Sequence, residues 1–178
     1  MLDRRAILAL GLSVACGFAL TACGTAEAPS LKEAREFSAF SVYYFGDSAV
    51  GRPLEEVLGD PEHQEKARDT AWVFIYGKCE DPPEGEGGCA PLQVHNYSTC
   101  IWAGINEPRP DKLFDFRGAK AQWHWYDLEV FTGHTAIKIG GGPRKLLLRA
   151  AQSLRDVRQA RAGRLPPLDP GALSGRGC

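Results

Sequence analysis

The chain has 178 residues, of which 44% are hydrophobic, 10% aromatic and 24% charged, proportions that are typical of one globular domain. With 21 Lys and Arg against 22 Asp and Glu, its formal net charge is −1. These values exclude a collagen-like, coiled-coil or wholly disordered chain. They also argue against a dedicated nucleic-acid-binding protein, which would need a strong basic excess.

The first 23 residues have the pattern of an export signal. Arg4 and Arg5 precede a charge-free, mostly apolar run over residues 6–19, which is too short to cross a bilayer as a permanent helix. The run ends in Leu20-Thr21-Ala22-Cys23, which resembles the lipobox of bacterial lipoproteins. That resemblance implies cleavage before Cys23, a diacylglycerol on its thiol and an anchor in membrane lipid on the extracytoplasmic face of the cell membrane.

Two features of this signal have alternatives. An ordinary signal peptide cut after Ala22 would leave the protein without a lipid anchor. The export route is open, because Arg4-Arg5 also resembles a twin-arginine signal, although two arginines are common at the start of general secretory signals.

The chain is expected to divide into four parts. Residues 1–22 are the predicted signal peptide, 23–30 a lipidated tether, 31–162 a single domain and 163–178 a disordered tail. Charge is uneven, since residues 23–143 hold 11 basic and 19 acidic residues, whereas residues 144–178 hold 8 basic and 2 acidic. We expect this basic segment to lie on the acidic body of the domain, with contact to anionic lipid headgroups as the alternative.

Four cysteines remain once Cys23 carries lipid, and an oxidising compartment favours disulfides. Cys79 and Cys89 flank a loop of proline, glycine and acids, and a predicted disulfide between them would stabilise the domain by about 2–3 kcal/mol. A pairing of Cys100 with Cys178 is left open. Cysteine spacing does not match a structural zinc site, so we predict no metal and no cofactor.

Residue patterns predict the elements in chain order. A capping box at Ser30 opens a short helix to about Phe37. Next come a strand at 41–45, a short helix at 53–58, and strands at 71–76, 92–97, 113–116, 119–126, 127–132 and 135–139. A last helix after residue 143 has one apolar face and ends at Gly163; that face comprises Leu147, Ala150, Ala151, Leu154 and Val157. The predicted fold class is α+β, an antiparallel sheet of five to seven strands with this C-terminal amphipathic helix packed on one face.

Phe45-Gly46-Asp47-Ser48 resembles the first block of GDSL-type esterases, in which the serine is the nucleophile. Gly104-Ile105-Asn106 and the spacing of Asp60 and His63 loosely resemble other blocks of that family. However, the family places its Asp/His block last, after crossover helices that this sequence lacks. We therefore expect no enzyme, and keep a small esterase with Ser48 as nucleophile as an alternative.

Trp123-His124-Trp125-Tyr126 is a dense aromatic segment. On a strand, Trp123 and Trp125 would share one face, and His124 and Tyr126 the other. Facing solvent, the tryptophans would suit a sugar ring or an apolar ligand; facing the C-terminal helix they would be core, which is the default expectation. Trp123, Trp125 and Tyr126 are the candidate ligand-binding residues.

Short motifs, including Tyr43-Tyr44 with Gly46 and later Cys79 and Cys89, resemble uncharacterised envelope lipoproteins of high-GC bacteria. That resemblance implies no activity. We expect a non-catalytic, lipid-anchored binding or envelope-interaction module, whose partner is an envelope protein or a small ligand and not a nucleic acid. A carrier of an apolar ligand held between sheet and helix is a further alternative.

The Cys23→Ala variant tests the lipid anchor, because it removes the thiol that would carry the diacylglycerol. Intact-mass measurement on protein from the native host should show a chain that begins at Cys23 with a lipid increment, and no increment in the variant. Cys16→Ala, within the apolar run, is the control and should keep the lipid. A lipid-sized increment that persists in Cys23→Ala would contradict the assignment.

Overall fold

A computed structural model describes residues 30–59, 71–78, 90–105 and 110–174. The predicted signal peptide, the predicted lipidation site Cys23 and the predicted Cys79–Cys89 pair lie outside the described residues. Within those ranges, none of the helices has the length and apolar character needed to cross a bilayer.

An antiparallel sheet of eight strands dominates the described part of the chain. Its strand order is β2-β3-β4-β5-β9-β8-β7-β6, and β1 pairs with β10 in a separate two-stranded sheet. The strands are β1 Tyr43–Tyr44, β2 Ser48–Ala49, β3 Arg52–Leu58, β4 Trp72–Tyr76, β5 Leu92–Ser98, β6 Phe114–Phe116, β7 Ala119–His124, β8 Asp127–Thr132, β9 Thr135–Gly140 and β10 Arg155–Asp156. The helices are α1 Leu31–Glu36, α2 Thr99–Ile105 and α3 Arg144–Ala151, with 3₁₀ turns at Pro110–Lys112 and Ala172–Ser174.

The predicted antiparallel sheet is confirmed, but the fold is predominantly β and not clearly α+β. The main sheet has eight strands, more than the expected five to seven. One reason is β3, where a helix was expected. Leu54 pairs with Tyr76 and Val57 with Phe74 across a bulge, so pairing with β4 outweighs the helix propensity of the Leu-Glu-Glu stretch.

One face of the sheet holds the main core. Every second residue of β4 and β5 is fully buried there, and α1, the aromatic segment of residues 37–45 and α3 pack against them. Phe37 meets Trp72 edge to face, and Phe45 lies against Tyr76. Alternation along strands therefore predicts which side chains enter this core.

Asn96 joins the aromatic segment to the sheet. This side chain is fully buried on β5; its Oδ1 accepts a hydrogen bond from the Tyr43 amide at 2.7 Å. Its Nδ2 donates to the Tyr43 carbonyl at 2.9 Å and to the Trp72 carbonyl at 3.3 Å. The amide thus acts like a strand partner for Tyr43 in a place where no neighbouring strand satisfies those groups.

The C-terminal helix is shorter than predicted, because α3 ends at Ala151 and not at Gly163. The Ser153 and Leu154 amides close a turn on the Ala150 and Ala151 carbonyls. The chain then becomes β10, and the Val157 amide donates to the Val42 carbonyl at 2.9 Å. Leu154 and Val157 are buried as expected, but a turn and a strand place them there instead of a helix.

The expected disordered tail is wrong for residues 163–174, which pack on the domain. Leu165 is buried, and its amide donates to the Arg117 carbonyl. Leu168 forms a β-bridge with Gly133 in the tight β8–β9 turn. Proline and glycine here shape an extended segment whose backbone bonds go to the sheet, so composition alone is a poor guide to order.

Asn96→Leu should lower the free energy of unfolding by about 3 kcal/mol, because it leaves the buried Tyr43 amide and carbonyl without partners. Urea unfolding measures the change. Gln93→Leu, on the half-buried opposite side of the same strand, is the control and should cost less than about 1 kcal/mol. Equal losses in both variants would contradict the special role of Asn96.

Candidate functional site

Trp125 and Tyr126 form the two-residue turn of the β7–β8 hairpin, which we call the hairpin tip. His124 pairs with Asp127, so β7 ends before the tip and the predicted strand over 119–126 is two residues too long. The predicted sharing of one strand face by Trp123 and Trp125 is therefore wrong, because the chain reverses between them. The tip side chains are 79% and 81% exposed.

Trp125 has a backbone conformation that is unfavourable for its side chain. Its φ is +56°, in the left-handed region that two-residue hairpin turns normally fill with Gly, Asn or Asp. For a bulky side chain this conformation costs about 1–2 kcal/mol. An exposed tryptophan gains no core packing in return, so the strain points to a role other than folding.

Trp123 packs next to the hairpin tip and is not part of an exposed aromatic surface. It is half-buried and packs against the main core. The Arg144 guanidinium, at the start of α3, lies 4.8 Å from the Trp123 ring centroid, and its Nη2 is 3.5 Å from the Trp125 carbonyl oxygen. This cation–π contact connects helix α3 to the hairpin and leaves a positive charge beside the tip.

Glu129 lies beneath the tip as a buried carboxylate. It is 1% exposed and accepts hydrogen bonds from Gln122 Nε2 at 2.7 Å and from the Trp102 indole at 3.2 Å. Its Oε1 is also 3.2 Å from His124 Nδ1. Such a carboxylate orients an imidazole, and a histidine held in this way can hydrogen-bond a ligand or move a proton.

The polar face of the sheet continues from Glu129 across neighbouring strands. Strand register places Lys138 opposite both Glu129 and His95, and Lys138 Nζ forms an ion pair with Asp127 at 3.0 Å. Burial, and secondarily the charge of Lys138, lowers the pKa of His95 below its usual value. His95 Nδ1 lies 3.1 Å from the Tyr97 hydroxyl, and Nε2 lies 2.9 Å from Gln93 Oε1, so both ring nitrogens have polar neighbours.

Ser48, the nucleophile of the esterase alternative, has no catalytic partner among the described residues. Ser48 is exposed in the short strand β2, where it pairs with Pro53. The histidines of the described ranges make their hydrogen bonds elsewhere, to Tyr97, Gln93, Glu129 and Asp169. Asp60, His63 and Asn106 lie outside the described residues. In that same part of the chain, no three His, Cys, Asp or Glu side chains group to hold a metal ion.

Cys100, on α2, forms a disulfide, and every other cysteine lies outside the described residues. The partner of Cys100 therefore lies outside the described residues. The 3₁₀ turn at Ala172–Ser174 packs against α2, with Leu173 beside Trp102. The pairing of Cys100 with Cys178 stays open, and the Cys79–Cys89 disulfide stays a prediction.

Sequence reasoning identified Trp125 and Tyr126 but missed the groups that surround them. Glu129 has a visible signal, an acid within the otherwise apolar or β-branched run from Leu128 to Thr132. Arg144 has no such signal in the sequence, because its contact with Trp123 joins helix α3 to strand β7 and arises only in the folded chain. Comparison of the chain with protein-family models, curated proteins and solved structures finds no match.

Glu129→Gln should lower the free energy of unfolding by about 1–3 kcal/mol, because an amide NH₂ would replace an acceptor that faces two buried donors, Gln122 Nε2 and the Trp102 indole N–H. Chemical unfolding monitored by tryptophan fluorescence measures the loss. Asp115→Asn is the control, since Asp115 is an exposed partner of Lys120 on neighbouring strands and should change stability by less than about 1 kcal/mol. An unchanged Glu129→Gln protein would show that the carboxylate is not needed there.

Proposed function

We propose that this protein is a lipid-anchored, extracytoplasmic binding module that is not an enzyme and that contacts its envelope ligand through the hairpin tip. The observation that carries this proposal is the pair Trp125 and Tyr126, largely exposed on a strained turn. Soluble domains rarely keep such side chains in solvent without a use for them. The helix α3, packed on one sheet face, stabilises the hairpin through Arg144.

The proposed anchor fits the start of the domain. Ser30 caps helix α1 in a reciprocal capping box with Glu33, so the described part of the domain begins seven residues after Cys23. A chain of that length spans at most about 25 Å. An acylated Cys23 would therefore hold the domain close to the membrane surface, and the search for a ligand is directed to the cell envelope.

The tip favours a ligand with a flat apolar surface bordered by polar groups. Aromatic rings supply the surface, Arg144 beside them supplies hydrogen-bond donors, and the His124 ring supplies a polar nitrogen. A sugar ring has both features, and an apolar ligand has the first. The carrier alternative is disfavoured, because Leu147, Ala150 and Ala151 of α3 pack directly in the main core.

Trp125→Gly should make the protein more stable by about 0.5–1 kcal/mol, because glycine adopts positive φ without strain. The same change should weaken binding to the ligand of the tip. Co-sedimentation with purified peptidoglycan and, separately, with phosphatidylcholine vesicles measures binding to a sugar polymer and to a lipid bilayer with an apolar interior. A gain in stability coupled to a loss of binding is the expected result.

The control for this experiment is the double variant Val50→Ala/Leu58→Ala, which removes two exposed apolar side chains elsewhere on the surface. It should bind as the wild type does. If the wild type binds neither probe, or if Trp125→Gly binds both as well as the wild type, the proposed function fails.

A further inference from the structure

Three neighbouring cavities along the chain that follows α3 share lining residues, and we call them together the arginine groove. The first, of about 520 Å³, is lined by Arg117 and Arg164 among others. The second, of about 160 Å³, shares Arg164 with the first and Arg155 with the third. The third, of about 530 Å³, also has Arg35 and Arg158 on its wall.

Most of these arginines have no carboxylate partner in the described part of the chain. Arg117 donates to the backbone carbonyls of Ala151 and Gly163, and Arg155 donates to that of Ala160 at 2.6 Å. Arg35 likewise donates to the Val157 carbonyl at 3.1 Å. Within the described ranges, the expectation that the basic segment lies on the acidic body is thus not met at these residues, which have no carboxylate partner there.

Arg158 is the exception on the groove wall. It meets both oxygens of Asp156, at 2.9 and 3.0 Å, so these two charges offset each other and the pKa of Asp156 is lowered. The other acid on the wall is the exposed Asp47. Five arginines against two aspartates leave the groove strongly positive.

Arg155 lies at the centre of the arginine groove, and the residues around it leave space for its guanidinium. It is half-buried over the Tyr44 ring, 5.2 Å from its centroid, and its buried Nε has no hydrogen-bond partner. Gly46 has φ +96°, and a Cβ there would lie 2.2 Å from Arg155 Nη2. This contact gives a structural reason for the glycine of the Gly46-Asp47-Ser48 motif, and that reason does not require a nucleophilic serine. Any other residue at position 46 would displace the Arg155 guanidinium.

Burial of a cation without a counter-ion is unfavourable, and a bound anion would relieve it. Burial also lowers the pKa of Arg117, the cation at the far end of the groove. Guanidinium groups bind phosphate and carboxylate oxygens through paired N–H donors. Because uncompensated arginines lie in all three cavities, a ligand with several charges along its length fits better than a single small anion.

We propose that the arginine groove binds an extended polyanion whose phosphate or carboxylate groups contact Arg35, Arg155 and Arg164 in turn. This site is separate from the hairpin tip. Arg117 and Gly118 precede β7 and Trp125 follows it, so six strand residues, or about 20 Å, separate the two.

The test compares two double variants of equal charge. Arg35→Gln/Arg164→Gln removes an exposed arginine from each end of the groove. Lys32→Gln/Arg161→Gln removes two charges that lie three positions away in each segment and line none of the three cavities. The probes are long-chain inorganic polyphosphate, polygalacturonate and orthophosphate, and titration calorimetry measures their affinity.

The wild type should bind one of the polymers at least about tenfold more tightly than orthophosphate, and the groove variant should lose about tenfold in that affinity. The control variant should stay within about twofold. The polymer that binds identifies the anionic group as phosphate or carboxylate. Equal losses in the two variants would show only diffuse charge attraction, and absence of polymer binding by the folded wild type would equally overturn the proposal.

Discussion

The hydrogen bonds of Asn96 are the constraint on which the other parts of this domain depend. They satisfy both backbone groups of Tyr43 inside an apolar core, where an unsatisfied amide or carbonyl is costly. With Tyr43 held, the aromatic segment lies across the main sheet and covers it. Its other side then offers a backbone edge to β10, which pairs with β1 at Tyr43 and Tyr44.

That pairing connects the core to the arginine groove. Arg155 lies in β10 opposite Tyr44, so the register that closes the small sheet also places its guanidinium over the Tyr44 ring. Asp156, the next residue, is opposite Tyr43 and holds Arg158. A buried amide on β5 therefore determines, through two short strands, where the charged side chains of a surface groove lie.

Sequence patterns predicted what depends on local periodicity. The strands at 71–76 and 92–97 and the capping box at Ser30 were read correctly. Residues 53–58 were read wrongly, because their strand form depends on pairing with β4, a distant partner.

The same limit applies to both candidate sites. Trp125 and Tyr126 were selected because they are aromatic. Their exposure results from a two-residue turn, and no glycine or asparagine in the sequence indicates a turn there. The groove combines α1, the β6–β7 turn and the chain after α3, so spacing along the sequence could not reveal it. The positive charge after residue 143 is visible in the sequence. Its lack of carboxylate partners among the described residues is seen only in the folded structure.

Two unfavourable features lie at opposite ends of strand β7, and neither is needed for the core. A bulky residue has a left-handed backbone at the hairpin tip, and the half-buried guanidinium of Arg117, in the β6–β7 turn, has no counter-ion among the described residues. Selection for stability alone would replace Trp125 by glycine and would pair or remove the arginines. Binding gives each feature a physical reason, because an aromatic-stacked ligand would offset the strain at the tip and an anion would offset the charge in the groove. The two costs are local and separate, so each site can be disabled without loss of the other.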